Sequence, residues 1–276
     1  MQVKQLWIYP IKSCQGISLT SAPVTLKGLK WDRELMLVDS LGGFLGQRQY
    51  PKLASVKVEL KQENLILSLE DQNIKPLVFS PTLEGEQKPV GIWLDKTIAI
   101  DQGDIVANWF EKLLQLEGVR LVRQSPQHIR PIDPNYAHKE NEPVSFADGY
   151  PLLLTNSSSL DELNRRLDEK YTNNTKISMN RFRPNVVVET DIPFLEDHWR
   201  SITIGSLEFA VIKSCSRCIV TTTDQASGQL DPQKEPLATL SQFRNFRGNI
   251  NFGENLVPRE TGSLNVGDMV EVIRKR

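Results

Sequence analysis

Three short clusters hold the residue types that can do chemistry. The first is Cys215-Ser216-Arg217-Cys218, two thiols three positions apart with a guanidinium group between them. Its own residues allow three readings. As half of a zinc site it needs two more ligands, which Cys14 and a histidine would have to supply. As a redox dithiol it should open a helix after a strand, yet it precedes the apolar pair Ile219-Val220 and reads as lying between strands. As packing, two thiols simply fill core space. Arg217 weighs against packing alone, because a neighbouring guanidinium favours thiolate, which is both nucleophile and soft-metal ligand. The second cluster is Tyr9-Pro10-Ile11-Lys12-Ser13-Cys14. A strand ending in Lys12-Ser13 either presents a cation and a hydroxyl to an anion or is an ordinary strand end with a solvated lysine. The third is Asn180-Arg181-Phe182-Arg183-Pro184-Asn185-Val186-Val187-Val188. Pro184 is expected to hold Arg183 extended at the mouth of a valine strand. An arginine there suits bidentate carboxylate or phosphate binding, or is one of a surface pair.

The elements that must position these clusters are mostly short strands. Val56, Val58 and Leu60, then Leu65, Leu67 and Leu69, alternate on either side of a polar turn and predict a hairpin over 55–70. A second hairpin is expected over 91–100, turning at Asp95-Lys96, and a third turns at Gly205-Ser206. A turn at Val266-Gly267-Asp268 leads into a strand over 269–273. This spacing favours a sandwich or barrel over a parallel βαβ sheet. Three short helices are expected. Asp104 caps one carrying Ile105, Trp109, Leu113 and Leu116, ended by Gly118. Ser159 and Glu162 have capping-box spacing for another. A third spans about 235–243 with Pro236 in its first turn. Residues 124–149, with four prolines, His128 and His138, show no period and read as a long functional loop. It separates two strand-rich halves, placing a boundary near 122–124, with units 1–122 and 123–276.

Composition narrows the function. A chain of 276 residues with 39% hydrophobic residues can bury a large core. Its 33 Lys+Arg against 34 Asp+Glu leave a net charge of −1, which argues against nucleic-acid binding through bulk charge. No window approaches the roughly 20 apolar residues of a membrane helix, and no leader is evident, so a cytoplasmic protein without membrane attachment is expected. Three cysteines are too few for a disulfide scaffold.

Six motifs occur in order along almost the whole chain: YPIKSC, WDRELMLVD, RFRPNVVV, CSRCIVTTTD, KEPLATL and NFGEN. In these the chain resembles the MOSC family (molybdenum cofactor sulfurase C-terminal domain) with its N-terminal β-barrel companion, in the branch of the amidoxime-reducing components and their bacterial counterparts. The resemblance implies a β-rich α+β fold: an antiparallel MOSC β-barrel core, an N-terminal mixed β domain and a few short helices. It implies a molybdenum–molybdopterin cofactor between the halves, with no role for pyridoxal phosphate. Cys218 resembles the thiolate that binds molybdenum, and Ser216 and Arg217 its cofactor-contacting neighbours. Lys12, Ser13 and Arg33 resemble residues that meet the pterin, and Arg183 matches the family arginine in FRPN. Asp148, Gly149 and Tyr150 align with a short backbone-contacting segment. Asn255 falls where the mitochondrial relatives have a tyrosine.

The implied activity is molybdenum-dependent reduction of N-hydroxylated compounds to amine or amidine. The alternatives are a sulfur carrier with a persulfide on Cys218, or a cofactor-binding module without turnover. Three cysteines cannot hold a plant-type iron–sulfur cluster, and the chain is expected to carry neither a C-terminal ferredoxin domain nor an N-terminal anchor. Electrons are therefore expected from a separate ferredoxin-, flavin- or cytochrome-type protein.

Overall fold

The computed structural model describes residues 1–276 except 71, 72, 138 and 172–175. His138, part of the loop singled out above, lies outside the described residues. Strands dominate, and three α-helices accompany them among the described residues: α1 (Asp104–Leu114), α2 (Ser157–Lys170) and α3 (Leu237–Phe243).

The largest sheet has nine strands, and its first strand comes from the start of the chain. Gln2–Ile8 lies between Ile17–Leu19 and Val186–Glu189, antiparallel to both. Leu152–Asn156 then joins Val186–Glu189 as a parallel pair, and Asn249–Pro258, Leu207–Ser216, Trp199–Ile204 and Val270–Lys275 continue the sheet antiparallel. The sheet curls until its two sides meet. The Val3 N–H donates to the Asp268 carbonyl, and the Val270 N–H to the Met1 carbonyl, both at 2.9 Å. Inside the curl lie Leu6, Ile8, Leu154, Val186, Trp199, Ile202, Phe209 and Leu256. Alternation puts these on one face of each strand, which fixes the register, because a one-residue slip would turn them all to solvent.

The second core sits among residues 11–121. A five-stranded sheet, Gln87–Ile92, Asp95–Asp101, Arg120–Gln124, Leu35–Val38 and Phe44–Leu45, packs with α1 and with the sheet of Lys57–Lys61, Asn64–Ser68 and Leu77–Phe79. The hairpins over 55–70 and at Gly205-Ser206 form as expected. The hairpin over 91–100 does not turn at Asp95-Lys96. Ile92 pairs with Asp95, so the turn is Trp93-Leu94, with Trp93 at φ 55°. A polar Asp-Lys pair is the better turn sequence, and a structural demand on Trp93, described below, prevails. Helix α1 buries Val106, Phe110 and Leu113 and leaves Ile105 exposed, and it ends at a left-handed Gln115 before Gly118 is reached.

Helix α2 starts three residues earlier than its capping box suggests. The Asn156 side chain accepts from the Ser158 N–H, while Ser159 Oγ donates to Glu196 Oε1 at 3.0 Å. Glu196 is fully buried, and burial raises its carboxyl to about 7. A carboxyl whose folded value is raised holds its proton more tightly in the folded state. Its contribution is complete below the ordinary carboxylate value near 4.5 and is lost as pH rises through about 7. Replacing Glu196 with Gln should therefore flatten the fall in melting temperature over that window. Thermal scans from pH 4.5 to 8 check this; a slope identical to wild type would show that Glu196 ionises freely.

Candidate functional site

The cleft is built where the first strand leaves the large sheet. After Ile8 the chain crosses to the second core, where the Arg33 N–H donates to the Tyr9 carbonyl and the Lys12 N–H to the Leu35 carbonyl, both at 2.8 Å. One short crossing thus fixes Tyr9, Lys12, Ser13 and Arg33 together. From the large sheet, the Met179–Phe182 turn delivers Arg183, and the end of Leu207–Ser216 delivers Ser216, Arg217 and Cys218. All eleven residues singled out from the sequence, Lys12, Ser13, Arg33, Asp148, Gly149, Tyr150, Arg183, Ser216, Arg217, Cys218 and Asn255, line this one cleft.

Local geometry differs from expectation at three points. Ile219–Thr222 is a 3-10 turn and not a strand, because the Thr221 and Thr222 hydroxyls donate back to the Cys218 and Ile219 carbonyls. Arg183 is left-handed (φ 55°), not extended; its carbonyl accepts from Arg33 Nη2 at 2.9 Å, and that contact overrides the bias set by Pro184. Cys215, for which packing is one of the open readings, lines the cleft, and its sulfur accepts from Arg217 Nη1 at 2.9 Å. Burial nevertheless raises the Cys215 thiol above its ordinary value, outweighing the pull of Arg217. Cys14 is fully buried in the second core and does not line the cleft, and burial pushes its thiol up to about 12. Among the described residues no group of three or more His, Cys, Asp or Glu is placed to hold a metal, so the zinc reading gains no support.

Charge in the cleft is unevenly balanced. Lys12 is 7% exposed and donates to the Phe146 carbonyl at 2.8 Å and to Asp148 Oδ1 at 2.5 Å. Burial lowers Lys12 against the pull of Asp148. Desolvation works against the Asp148 anion, but Lys12 outweighs it and holds the carboxyl well below the usual range. Arg33 is paired with the buried Asp32 at 2.7 Å. Arg183 and Arg217 have no ion-pair partner among the described residues. Arg183 Nη1 donates only to Gln225 Oε1, and Arg217 Nη2 to the Phe182 carbonyl. Burial lowers Arg183 to about 10, which still leaves it charged at neutral pH. The buried Arg217 Nε and Tyr150 Oη lack hydrogen-bond partners among the described residues. Unpaired cations and unsatisfied donors facing a cleft are the complement of an anion with many acceptor oxygens.

Four positioning residues escaped the sequence reading. Tyr9 is buried, and the guanidinium carbons of Arg33 and Arg183 stand 4.1 and 4.3 Å from its ring centroid. Burial pushes its phenol up to about 12, so the ring stays a neutral platform for both cations. Gly16 leaves room for that ring, since a Cβ there would lie 2.5 Å from Tyr9 Cε1. Arg130, 3% exposed, donates to the carbonyls of Ser145, Ala147 and Asp148 and fixes the segment presenting Asp148. Trp93 donates its indole N–H to Asp148 Oδ1 at 3.3 Å. Only the tyrosine of the YPIKSC motif carried any advance signal.

Replacing Arg183 with Ala removes one unpaired cation from a site that holds its fold by other contacts. A charge-assisted hydrogen bond is worth about 1.5–3 kcal/mol, so affinity for a multiply charged anion should fall about ten- to a hundredfold. Molybdenum and pterin content of the purified variant measures this. Full content would show that the anion site lies elsewhere.

A strand-rich chain with a thiol and a cationic cleft matches two family descriptions. Residues 1–117 match the MOSC N-terminal beta barrel domain and residues 141–271 the MOSC domain. The chain belongs to the MOSC family. It is 34% identical to mitochondrial amidoxime reducing component 2 of Rattus norvegicus over 97% of this chain and 82% of that protein. It is 30% identical to mitochondrial amidoxime-reducing component 1 of Homo sapiens over 98% and 82% respectively. Molybdenum cofactor sulfurase 3 of Aedes aegypti is 32% identical over 91% of this chain, which spans 33% of that longer protein. Among the described residues no helix is long and apolar enough to cross a membrane.

Proposed function

We propose that this chain holds a molybdenum–molybdopterin cofactor in the cleft and reduces N-hydroxylated compounds, acting in the cytoplasm. The observation that carries the reading is the convergence of Lys12, Arg33, Arg183 and Arg217 with the Cys218 thiol in one cleft. The similarity to amidoxime-reducing components along nearly the whole chain supports it. The reaction breaks an N–O bond, consumes two electrons and two protons, and releases amine or amidine and water. The electrons come from a separate ferredoxin-, flavin- or cytochrome-type carrier, which is oxidised. When bound, the cofactor would supply the oxygen-atom and electron transfer.

The remaining tasks fall to the chain. Arg183 and Arg217, unpaired in the protein, grip the pterin phosphate, and Lys12 and Arg33 add charge already oriented by Asp148 and Asp32. Cys218 ligates the metal. The backbone of Asp148, Gly149 and Tyr150, braced by Arg130, and the side chains of Ser13, Ser216 and Asn255 orient the group. Phe44, Leu153, Phe182 and Val220 exclude water from the walls. In this division residues 1–122 contribute the lysine side of the grip, and residues 123–276 the thiol side.

A second reading is sulfur carriage through a persulfide on Cys218. The second thiol, Cys215, in the same cleft favours it, as does the likeness to a sulfurase. A third is cofactor binding without turnover. Freshly purified protein separates them. The reductase reading expects near-stoichiometric molybdenum and pterin, no amidoxime reduction with NADH alone, and turnover once a reduced viologen or a reductase and carrier are added. Protein-bound persulfide without molybdenum would establish sulfur carriage. Cofactor without turnover would leave a binding module.

A further inference from the structure

Arg48 is the one cleft-lining cation that the proposed grip does not use. It is exposed and has no hydrogen-bond or ion-pair partner among the described residues. Its guanidinium carbon instead lies 4.4 Å from the centroid of the Trp93 ring. Trp93 is itself an anomaly. It occupies a two-residue turn at φ 55°, a region where a bulky side chain is a rare outlier and where strain commonly marks function. Three contacts hold it there. Its ring meets Phe44 edge-on at 4.8 Å, its indole N–H bonds Asp148, and the Gly91 N–H of its hairpin donates to the Gly42 carbonyl at 2.9 Å. The result is a half-exposed aromatic wall bearing an exposed guanidinium in a cleft where Lys12 is buried and which Arg183 and Arg217 also line.

We propose that Arg48, positioned by Trp93, is the specificity-determining residue of the cleft and selects N-hydroxylated substrates that carry a carboxylate or phosphate group away from the N–O bond. The inference rests on the reductase reading above and names its substrate class. A guanidinium on an aromatic face is held in place yet keeps its N–H edges free, so an anion can bind in a forked, two-bond geometry without first displacing a protein carboxylate.

The test uses cofactor-loaded protein, 4-carboxybenzamidoxime and uncharged benzamidoxime, with both calorimetric binding and viologen-driven turnover. Wild type should bind the carboxylated compound about tenfold more tightly, with the difference appearing in KM more than in kcat. Arg48→Gln should erase that ratio, Arg48→Glu should invert it towards 4-(aminomethyl)benzamidoxime, and Trp93→Leu should weaken it. Molybdenum and pterin content should match wild type in the two Arg48 variants. Equal binding of the two compounds by wild type, or a ratio that survives Arg48→Gln, overturns the proposal. So does loss of cofactor from Arg48→Gln, which would place Arg48 in the cofactor grip. Charge-selective binding without turnover sustains the proposal and sinks the reductase reading. Turnover without charge preference does the reverse.

Discussion

The Cys218→Ser protein is expected to lose all measurable reduction of N-hydroxylated compounds and to retain far less molybdenum after gel filtration. Serine keeps the size and the extended backbone of this position but offers a hydroxyl that stays protonated at neutral pH, a poor ligand for a soft metal. Folding should be almost untouched, because the thiol is only partly buried and the turn after it is held by Thr221 and Thr222 hydroxyls. Cys215→Ser gives the contrast. It should keep metal and most activity, since its sulfur meets Arg217 and that guanidinium remains tied to the Phe182 carbonyl at 2.6 Å. Metal analysis and steady-state turnover on both variants decide the matter. Equal loss in the two would mean that the thiols act as a pair, as a dithiol or a zinc site requires.

The second large effect is expected from a residue with no side chain. Gly16→Ala would drive a methyl group to 2.5 Å from Tyr9 Cε1 and 2.9 Å from Cδ1. The ring cannot swing aside freely, because its hydroxyl donates to the Pro184 carbonyl at 3.2 Å and two guanidinium groups lie against it. Overpacking of this kind costs about 1–3 kcal/mol, so the variant should fold with a lowered melting temperature. The displaced ring should carry Arg33 and Arg183 out of place, and cofactor content should fall at least as far as in Arg183→Ala. Adding Tyr9→Leu relieves the clash and should restore the melting temperature without restoring the cofactor. Recovery of both by the double variant would show that Tyr9 only fills space.

Local pattern made parts of this molecule legible in advance. Alternation located the 55–70 hairpin and the Gly205-Ser206 turn because each is closed by neighbours in sequence. The eleven residues matched to the family pattern line a single cleft. Most of those side chains are polar and lie in turns or near the ends of strands. What stayed hidden depends on contacts distant in the chain. Arg130 looks like any arginine in a loop until it is seen to bind three carbonyls of 145–148. Gly16 has no pattern, because its constraint is a ring seven positions away and folded back over it. Trp93-Leu94 reads as strand, since two large apolar residues rarely make a turn, and only the cleft explains why the chain accepts that geometry. Arg183 was expected to be extended from its neighbour Pro184, but the hydrogen bond that sets its backbone comes from Arg33, 150 positions earlier.

The placement of Gln2–Ile8 in the large sheet has a consequence for how the protein is made. Leu6 pairs with Val186, so this strand must wait for one synthesised about 180 residues later. At ordinary elongation rates that is a delay of roughly ten to forty seconds. During it the strand has only Ile17–Leu19 to pair with, and Tyr9 to Ser13 have no second wall to face. Loop closure over such a span is entropically slow as well, so the cleft is among the last features to form. A ligand of the cleft can therefore enter only after the centre of the large sheet has been synthesised.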